Sequence, residues 1–172
     1  KGSTINDNLR IFGGFTENAD VSNIPKAKTA LMSYHTQFFY AYDLVNGLYD
    51  LKNFGRNIVL EDGKKEGTYI SPVLNAGAFE VLYAGWEINY NGGGAEIYVS
   101  VTDKDGVATQ WLQIAKVQAN VLNCTPYEDD VVKVEASRVY LKNGASTGGV
   151  RFKVKLIAAE NGASPYMSYI SL

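Results

Sequence analysis

The chain has little of the side-chain chemistry that most enzymes and metal sites need. Its 172 residues include one cysteine, Cys124, and one histidine, His35. A single cysteine cannot form an internal disulfide, and these two residues are too few to hold a structural zinc ion. The sequence also has no P-loop, no dinucleotide fingerprint and no zinc motif. We therefore expect the chain not to be an enzyme, so that any catalytic activity would lie elsewhere in a longer parent chain.

Long apolar segments and a strong net charge are absent as well. No apolar run approaches the ~18 residues that a transmembrane helix needs. The net charge is −2, which gives no electrostatic reason to expect a nucleic acid or an anionic membrane as partner. We expect no nucleic-acid binding and no membrane insertion.

Tyrosine and glycine are abundant, at 12 and 17 residues, and this combination of aromatic and turn residues favours β structure. Apolar and polar residues alternate in AEIYVSV, where Ile97, Val99 and Val101 share one face, and in RFKVKL, whose other face is basic. Alternation and turn residues together predict strands at 34–42, 57–60, 83–90, 95–102, 110–115, 131–136, 138–142, 151–156 and 166–171.

These patterns predict an all-β protein with one antiparallel β-sandwich over residues 33–172. Residues 1–32 are polar and only weakly periodic. We expect them to form an N-terminal arm that contains one short helix at 26–32, directly after Pro25.

A hairpin is the most specific strand pairing that the sequence predicts. Segments 83–90 and 95–102 flank a glycine break at 92–94, so we expect the two strands to pair. Glu87 and Glu96 would then face each other on the outside of the hairpin, as the carboxylate pair of a glycoside hydrolase does. Neighbouring lysines and a solvated sheet face explain these two residues equally well.

The segment GTYISPVLNAGAF, residues 67–79, reads as a strand with a proline inside it. Pro72 cannot donate a ladder hydrogen bond, and such prolines are usually confined to sheet edges, strand starts and bulges. We expect both Pro72 and Pro165 to lie at strand starts or bulges on the rims of sheets.

Three segments and one tryptophan form a pattern that extends over residues 55–172. They are GTYISPVLNAGAF, YAGWEINYNGGGAEIYVSVTDKDG, Trp111 and the closing RFKVKLIAAENGASPYMSYISL. Their order resembles a jelly-roll-like β-sandwich found as an accessory domain in large secreted bacterial proteins, beside C39-type cysteine peptidase or glycan-active domains. The resemblance implies a jelly-roll-like fold and an extracellular or cell-surface location. It does not imply the peptidase itself, because His35 precedes Cys124 and the peptidase has its histidine after its cysteine.

Sugar recognition needs exposed aromatic rings beside directional polar groups. Trp111 is followed closely by Gln113, and we expect its ring to be partly exposed, whereas we expect Trp86 in the interior. The predicted ligand-binding residues are Trp111, Tyr90, Tyr98, Asn89, Asn91 and Gln113. In the alternative interpretation, the tyrosines form ordinary cross-strand pairs on an outer sheet face.

Two acidic loops are candidates for a cation. Asp103 and Asp105 place two carboxylates two residues apart in a tight turn, and residues 127–130 form a second acidic loop. Calcium takes oxygen ligands of this kind, so a structural calcium at Asp103 and Asp105 is possible, and we expect no other cofactor. The spacing is not that of an EF-hand, and solvated turn residues are the alternative explanation.

Two functions from different classes fit these observations. The first is a non-catalytic binding module that recognises a polysaccharide or cell-wall glycan within a larger secreted or surface protein. The second is a structural or assembly domain of a surface appendage or a phage tail-type particle, with neighbouring protein subunits as partners. In the second case the stripe Tyr34, Tyr40 and Tyr42 would form a contact surface, and otherwise it would line the core.

Overall fold

The computed structural model describes residues 38–172, which form sixteen short strands and one turn of 3-10 helix, Ala41–Asp43. In chain order the strands are β1 Phe38–Tyr40, β2 Leu48–Tyr49, β3 Leu51–Phe54, β4 Asn57–Leu60, β5 Glu66–Ile70, β6 Leu74–Asn75, β7 Val81–Tyr83, β8 Gly85–Asn89, β9 Gly94–Val101, β10 Leu112–Gln118, β11 Val121–Asn123, β12 Tyr127–Glu128, β13 Val132–Glu135, β14 Arg138–Leu141, β15 Gly149–Ile157 and β16 Tyr166–Ser171. The predicted arm at 1–32 with its helix, and residues Tyr34 and His35, lie outside the described residues.

The strands form three sheets, and the pairs within them are antiparallel. The largest sheet has the order β11-β10-β9-β15-β5-β2, and β6 also pairs with β15. In the second sheet, β16 is flanked by β8 on one side and by β1 and β4 on the other, and β3 follows β4. The third sheet has the order β12-β13-β14-β7.

A single hydrophobic cluster draws side chains from all three sheets. In β15, alternation places Phe152, Val154 and Leu156 inside, each with no exposed surface. Phe152 contacts Phe39 of the second sheet and Tyr69 of its own sheet, with ring centroids 5.7 and 5.5 Å apart. Each fully buried side chain of this size contributes about 1.5–3 kcal/mol through the hydrophobic effect. The predicted all-β antiparallel sandwich is confirmed.

Several predicted strands are observed with nearly the predicted bounds. The strands at 57–60 and 166–171 are confirmed residue for residue, as β4 and β16. Of the predicted strand at 34–42, residues 38–40 form β1, and the chain then turns into the 3-10 helix. Among residues 38–172, the structure contains no helix that could span a membrane.

The predicted hairpin between 83–90 and 95–102 is wrong. β8 pairs with β16 in the second sheet, whereas β9 lies between β10 and β15 in the largest sheet. The turn between them closes with a 2.7 Å hydrogen bond from the Gly93 N–H to the Tyr90 carbonyl. A Cβ on Gly93 would collide with the Ile157 carbonyl oxygen, so glycine allows the chain to cross between the sheets here.

The predicted carboxylate pair is wrong for the same reason. Glu87 and Glu96 lie in different sheets and cannot face each other across a hairpin. Glu87 is the cross-strand neighbour of Tyr169, and Glu96 forms an ion pair with Lys116 at 3.3 Å.

Pro72 lies at a bulge, as the sequence predicts. β5 and β6 both pair with β15, and the three residues 71–73 between them face only two residues of β15, 151 and 152. Ser71 continues the ladder, because its N–H donates to the Phe152 carbonyl and its hydroxyl accepts the Phe152 N–H, both at 2.9 Å. The proline therefore interrupts the strand without leaving the buried Phe152 N–H unsatisfied.

Pro165 lies directly before β16, so its predicted position at a strand start is confirmed. The preceding Ser164 uses its hydroxyl as Ser71 does, and accepts the Leu60 N–H at 2.9 Å. In both serine–proline pairs, the hydroxyl supplies a hydrogen bond to a neighbouring strand beside a residue that cannot donate one.

Candidate ligand-binding face

Three neighbouring strands of the largest sheet, β10, β9 and β15, turn one set of side chains away from the core. We call this surface the outer face. Its residues are Trp111, which lies directly before β10, and the strand residues Gln113, Lys116, Glu96, Tyr98, Arg151, Lys153 and Lys155. The register places Tyr98 between Gln113 on one side and Lys153 on the other. Three of the six predicted binding residues, Trp111, Tyr98 and Gln113, therefore lie on one face.

Trp111 lies at the Arg151 end of the outer face, half-buried, beside two cations of β15. The Arg151 guanidinium carbon is 5.4 Å and the Lys153 Nζ atom 4.9 Å from the centroid of the indole ring. Both distances are within the ~6 Å range of cation–π attraction. On the intervening strand β9, the cross-strand neighbour of Arg151 is Ser100, whose small buried side chain leaves room for the indole to reach β15.

The bulge at Pro72 also orients Arg151. The Arg151 Nε atom donates to the Ser71 carbonyl at 3.3 Å, and Ser71 is the residue that continues the ladder at the bulge. Bulges often redirect a side chain next to a functional site. Here the extra residue in the β5–β6 segment places a carbonyl that holds the guanidinium beside Trp111.

A polar network is centred on Tyr98. Its hydroxyl donates to Glu96 Oε2 at 2.7 Å and accepts from Gln113 Nε2 at 2.9 Å, and Lys153 Nζ lies 4.3 Å from its ring centroid. Burial and the neighbouring Glu96 carboxylate raise the pKa of Tyr98, so its hydroxyl stays protonated. Burial also acts to raise the pKa of Glu96, but hydrogen bonds from Tyr98 and Lys116 outweigh it and lower that pKa. Glu96 therefore keeps its negative charge.

Arg151 and Lys153 differ from the other cations of the outer face. On this side of the sheet, the described residues form the ion pairs Lys116–Glu96 at 3.3 Å and Lys155–Glu66 at 2.6 Å. Within residues 38–172, no carboxylate forms an ion pair with Arg151 or Lys153. Their charges therefore stand beside aromatic rings without a neutralising partner from the described chain.

The other three predicted binding residues, Tyr90, Asn89 and Asn91, lie at the turn that crosses between sheets. The Tyr90 hydroxyl accepts a 2.9 Å hydrogen bond from Trp86 Nε1, and both rings pack half-buried against the core. Asn89 accepts the Asn91 N–H at 3.1 Å, and Asn91 Nδ2 donates to the Ser164 carbonyl at 3.2 Å. These side chains stabilise the turn, and the structure does not bring them together with Trp111.

A groove of about 580 Å³ opens beside this turn, lined by residues 91–94, 116–119 and 157–161. Lys116 belongs both to the wall of this groove and to the outer face. Because β10 has a bulge after Gln113, the six residues from Trp111 to Lys116 advance by about four residues of β9, or roughly 13 Å at about 3.3 Å per residue. The outer face and the groove therefore adjoin at Lys116.

The acidic loops use their carboxylates within their own turns. Asp103 Oδ1 accepts the N–H groups of Asp105 and Val107 at 2.9 and 2.8 Å, and Asp105 pairs with Lys104 at 2.8 Å. In the second loop, Asp129 likewise accepts backbone N–H groups. Among residues 38–172, no group of three or more His, Cys, Asp or Glu residues is placed to hold a metal ion. Calcium at Asp103 and Asp105 stays a prediction.

Sequence reasoning missed Arg151 and Lys153 as site residues, since a basic strand face is also a common means of keeping a sheet soluble. Alternation does predict that both point away from the core. It does not predict that β15 pairs with β9 and so comes close to Trp111, because β9 and β15 are far apart in the chain.

Comparison of the chain with models of protein families, with curated proteins and with solved structures finds no match. The resemblance to accessory β-sandwich domains of secreted bacterial proteins therefore stays a prediction from the sequence.

Proposed function

We propose that this protein is a non-catalytic binding module that recognises a glycan on its outer face. The observation that supports the proposal most directly is the meeting of Trp111, Tyr98 and Gln113 on one open sheet surface. A sugar has an apolar ring face and a rim of hydroxyl groups. A half-exposed indole surrounded by donors and acceptors is complementary to both.

Binding would combine stacking on Trp111 with directional hydrogen bonds. The Gln113 amide nitrogen donates to Tyr98, which leaves the Gln113 carbonyl oxygen as an acceptor for a sugar hydroxyl. Arg151 and Lys153 of β15 supply further hydrogen-bond donors beside the Trp111 ring. Because the surface is open and continues towards the groove, an extended polysaccharide fits it better than a single sugar.

We place the module outside the cell or on its surface, as part of a larger secreted protein. This placement rests on the jelly-roll-like resemblance and on the class of ligand proposed. Catalysis would then belong to another domain of the parent chain.

The test is a titration against plant, host and bacterial cell-wall glycans, with Trp111→Ala and Phe54→Ala compared side by side. Phe54 is an exposed aromatic residue on β3 of the second sheet, so its removal controls for a general loss of aromatic surface. We expect saturable binding that Trp111→Ala abolishes and Phe54→Ala retains. Binding that survives in Trp111→Ala, or no binding by the wild type to any glycan, would reject the proposal.

An assembly domain is the second candidate, and the edge strand β11 favours it. All three residues of β11 are exposed, with Val121 at 57% and Leu122 at 54%. An exposed apolar edge strand can pair with a strand of another chain. Light scattering on the titrated samples separates the two functions, because a defined oligomer without glycan binding favours assembly.

A further inference from the structure

The geometry points to a specific class of ligand: a glycan whose sugar rings bear an anionic group, a carboxylate or a sulfate. This inference rests on the proposed glycan-binding function and deepens it. Its basis is the pair of cations, Arg151 and Lys153, that flank Trp111 without an ion-pair partner among the described residues.

A comparison with the neighbouring lysines shows why this pair is unusual. Lys116 and Lys155 lie on the same face, and each has a carboxylate within 3.3 Å. Lys153 lies between them and Arg151, is half-buried, and contacts the rings of Tyr98 and Trp111 instead. A cation on an aromatic face remains attractive to an anion, because the ring quadrupole does not cancel its charge.

Both cations have contacts that orient them. Arg151 is held by the Ser71 carbonyl at 3.3 Å, and Lys153 has its ammonium group within 5 Å of two ring centroids. A site that is already ordered loses less conformational entropy when it binds. An anionic sugar stacked on Trp111 would therefore place its acidic group against two positioned donors.

Glu96 limits the anion to one part of the face. Its charge is retained, and it is bound to Tyr98 and Lys116 on the side of the network away from Arg151. The potential of the outer face is therefore positive around Trp111 and close to neutral around Lys116. An acidic ring is expected at Trp111, with uncharged hydroxyl groups towards the groove.

The experiment compares matched acidic and neutral polymers at constant ionic strength: polygalacturonate with its highly methyl-esterified form, and dextran sulfate with dextran. We expect the acidic member of at least one pair to bind ten times more tightly or better than its neutral partner. The pair that shows the difference identifies the anion as carboxylate or sulfate.

Two lysine variants distinguish specific binding beside Trp111 from non-specific electrostatic attraction. Lys153→Met keeps the apolar stem and removes the charge, and Lys133→Met removes one charge from β13 in the third sheet. We expect about a tenfold loss of affinity in Lys153→Met and less than a twofold change in Lys133→Met. Equal losses in the two variants would overturn the inference, because the attraction would then be non-specific.

The outcomes also separate this inference from the function on which it rests. Equal binding of acidic and neutral members, lost in Trp111→Ala, would overturn the anionic preference and leave the glycan-binding module intact. No binding to any glycan would reject both.

Discussion

The inner and outer sides of the largest sheet are built from the same strands and have different roles. On β15, Phe152, Val154 and Leu156 are completely buried in the common core. The residues that alternate with them, Arg151, Lys153 and Lys155, lie on the outer face. One side of the strand therefore stabilises the fold, and the other presents charge beside a tryptophan.

The difference shows how a rigid sheet can position a binding surface. Since the buried side fixes the register of β15 against β9, it also fixes the backbone positions from which the outer side chains project. The outer face can therefore change its chemistry without changing the fold, whereas the inner side cannot.

Phe152→Ala and Arg151→Ala test the difference between the inner side and the outer face of the sheet at two adjacent positions. Phe152→Ala removes ring contacts to both Phe39 and Tyr69 and leaves a cavity, so we expect a loss of about 3–5 kcal/mol in the free energy of unfolding. For Arg151→Ala we expect a loss of no more than about 1 kcal/mol, the size of an exposed cation–π contact. Urea unfolding of both variants measures the difference, and similar losses would show that the two sides are not distinct.

Ser71→Ala tests the hydrogen bond at the proline bulge. The variant leaves the buried Phe152 N–H without its hydroxyl acceptor, and we expect it to cost about 1–3 kcal/mol. Ser164→Ala is the matched variant, since Ser164 accepts the Leu60 N–H beside Pro165. Thermal unfolding of the two variants should give losses of similar size. A stability of Ser71→Ala equal to that of the wild type would contradict the role given to the hydroxyl.

Trp111→Ala tests whether the outer face contributes binding without contributing much to folding. We expect this variant to lose less than about 1.5 kcal/mol of stability, because its ring is half-buried and lies outside the common core. Its glycan affinity should nevertheless fall below detection. A variant that unfolds as readily as Phe152→Ala would place Trp111 with the structural side of the sheet.

Glu96→Gln tests the electrostatics of the network at low pH. The pKa of Glu96 is lowered in the folded protein, so the carboxylate contributes stability above its usual pKa of 4.5 and loses that contribution as the pH falls through the folded pKa. We expect the wild type to lose more stability than Glu96→Gln as the pH is lowered from 6 to about 3, by about 1 kcal/mol or less. Parallel curves of unfolding free energy against pH would show that Glu96 does not titrate in this way.

The sequence predicts the faces of the strands better than their neighbours. Alternation correctly places Phe152 inside and Lys153 outside, and β4 and β16 have the predicted bounds. It fails at β8 and β9, because two strands joined by a tight glycine turn look like a hairpin whether they pair or cross between sheets. Strands of two or three residues, such as β2, β7, β11 and β12, are too short to show a period.

The residues of the candidate site could likewise be predicted from the sequence better than their neighbours on adjacent strands. Trp111, Tyr98 and Gln113 were predictable as residue types suited to sugar, and the register of β9 and β10 brings them together. The role of Arg151 depends on a bulge in a distant segment and on the small side chain of Ser100 on the intervening strand. Neither relation is encoded in local periodicity.

The most direct test of the account is a map of backbone amide chemical shifts as the tightest-binding glycan is added. We expect the shifts to concentrate on β10, β9 and β15 around Trp111, with smaller changes towards the groove and none on β3, β4 and β11. Shifts concentrated on β11 or on the second sheet, with none around Trp111, would contradict the assignment of the outer face as the binding surface.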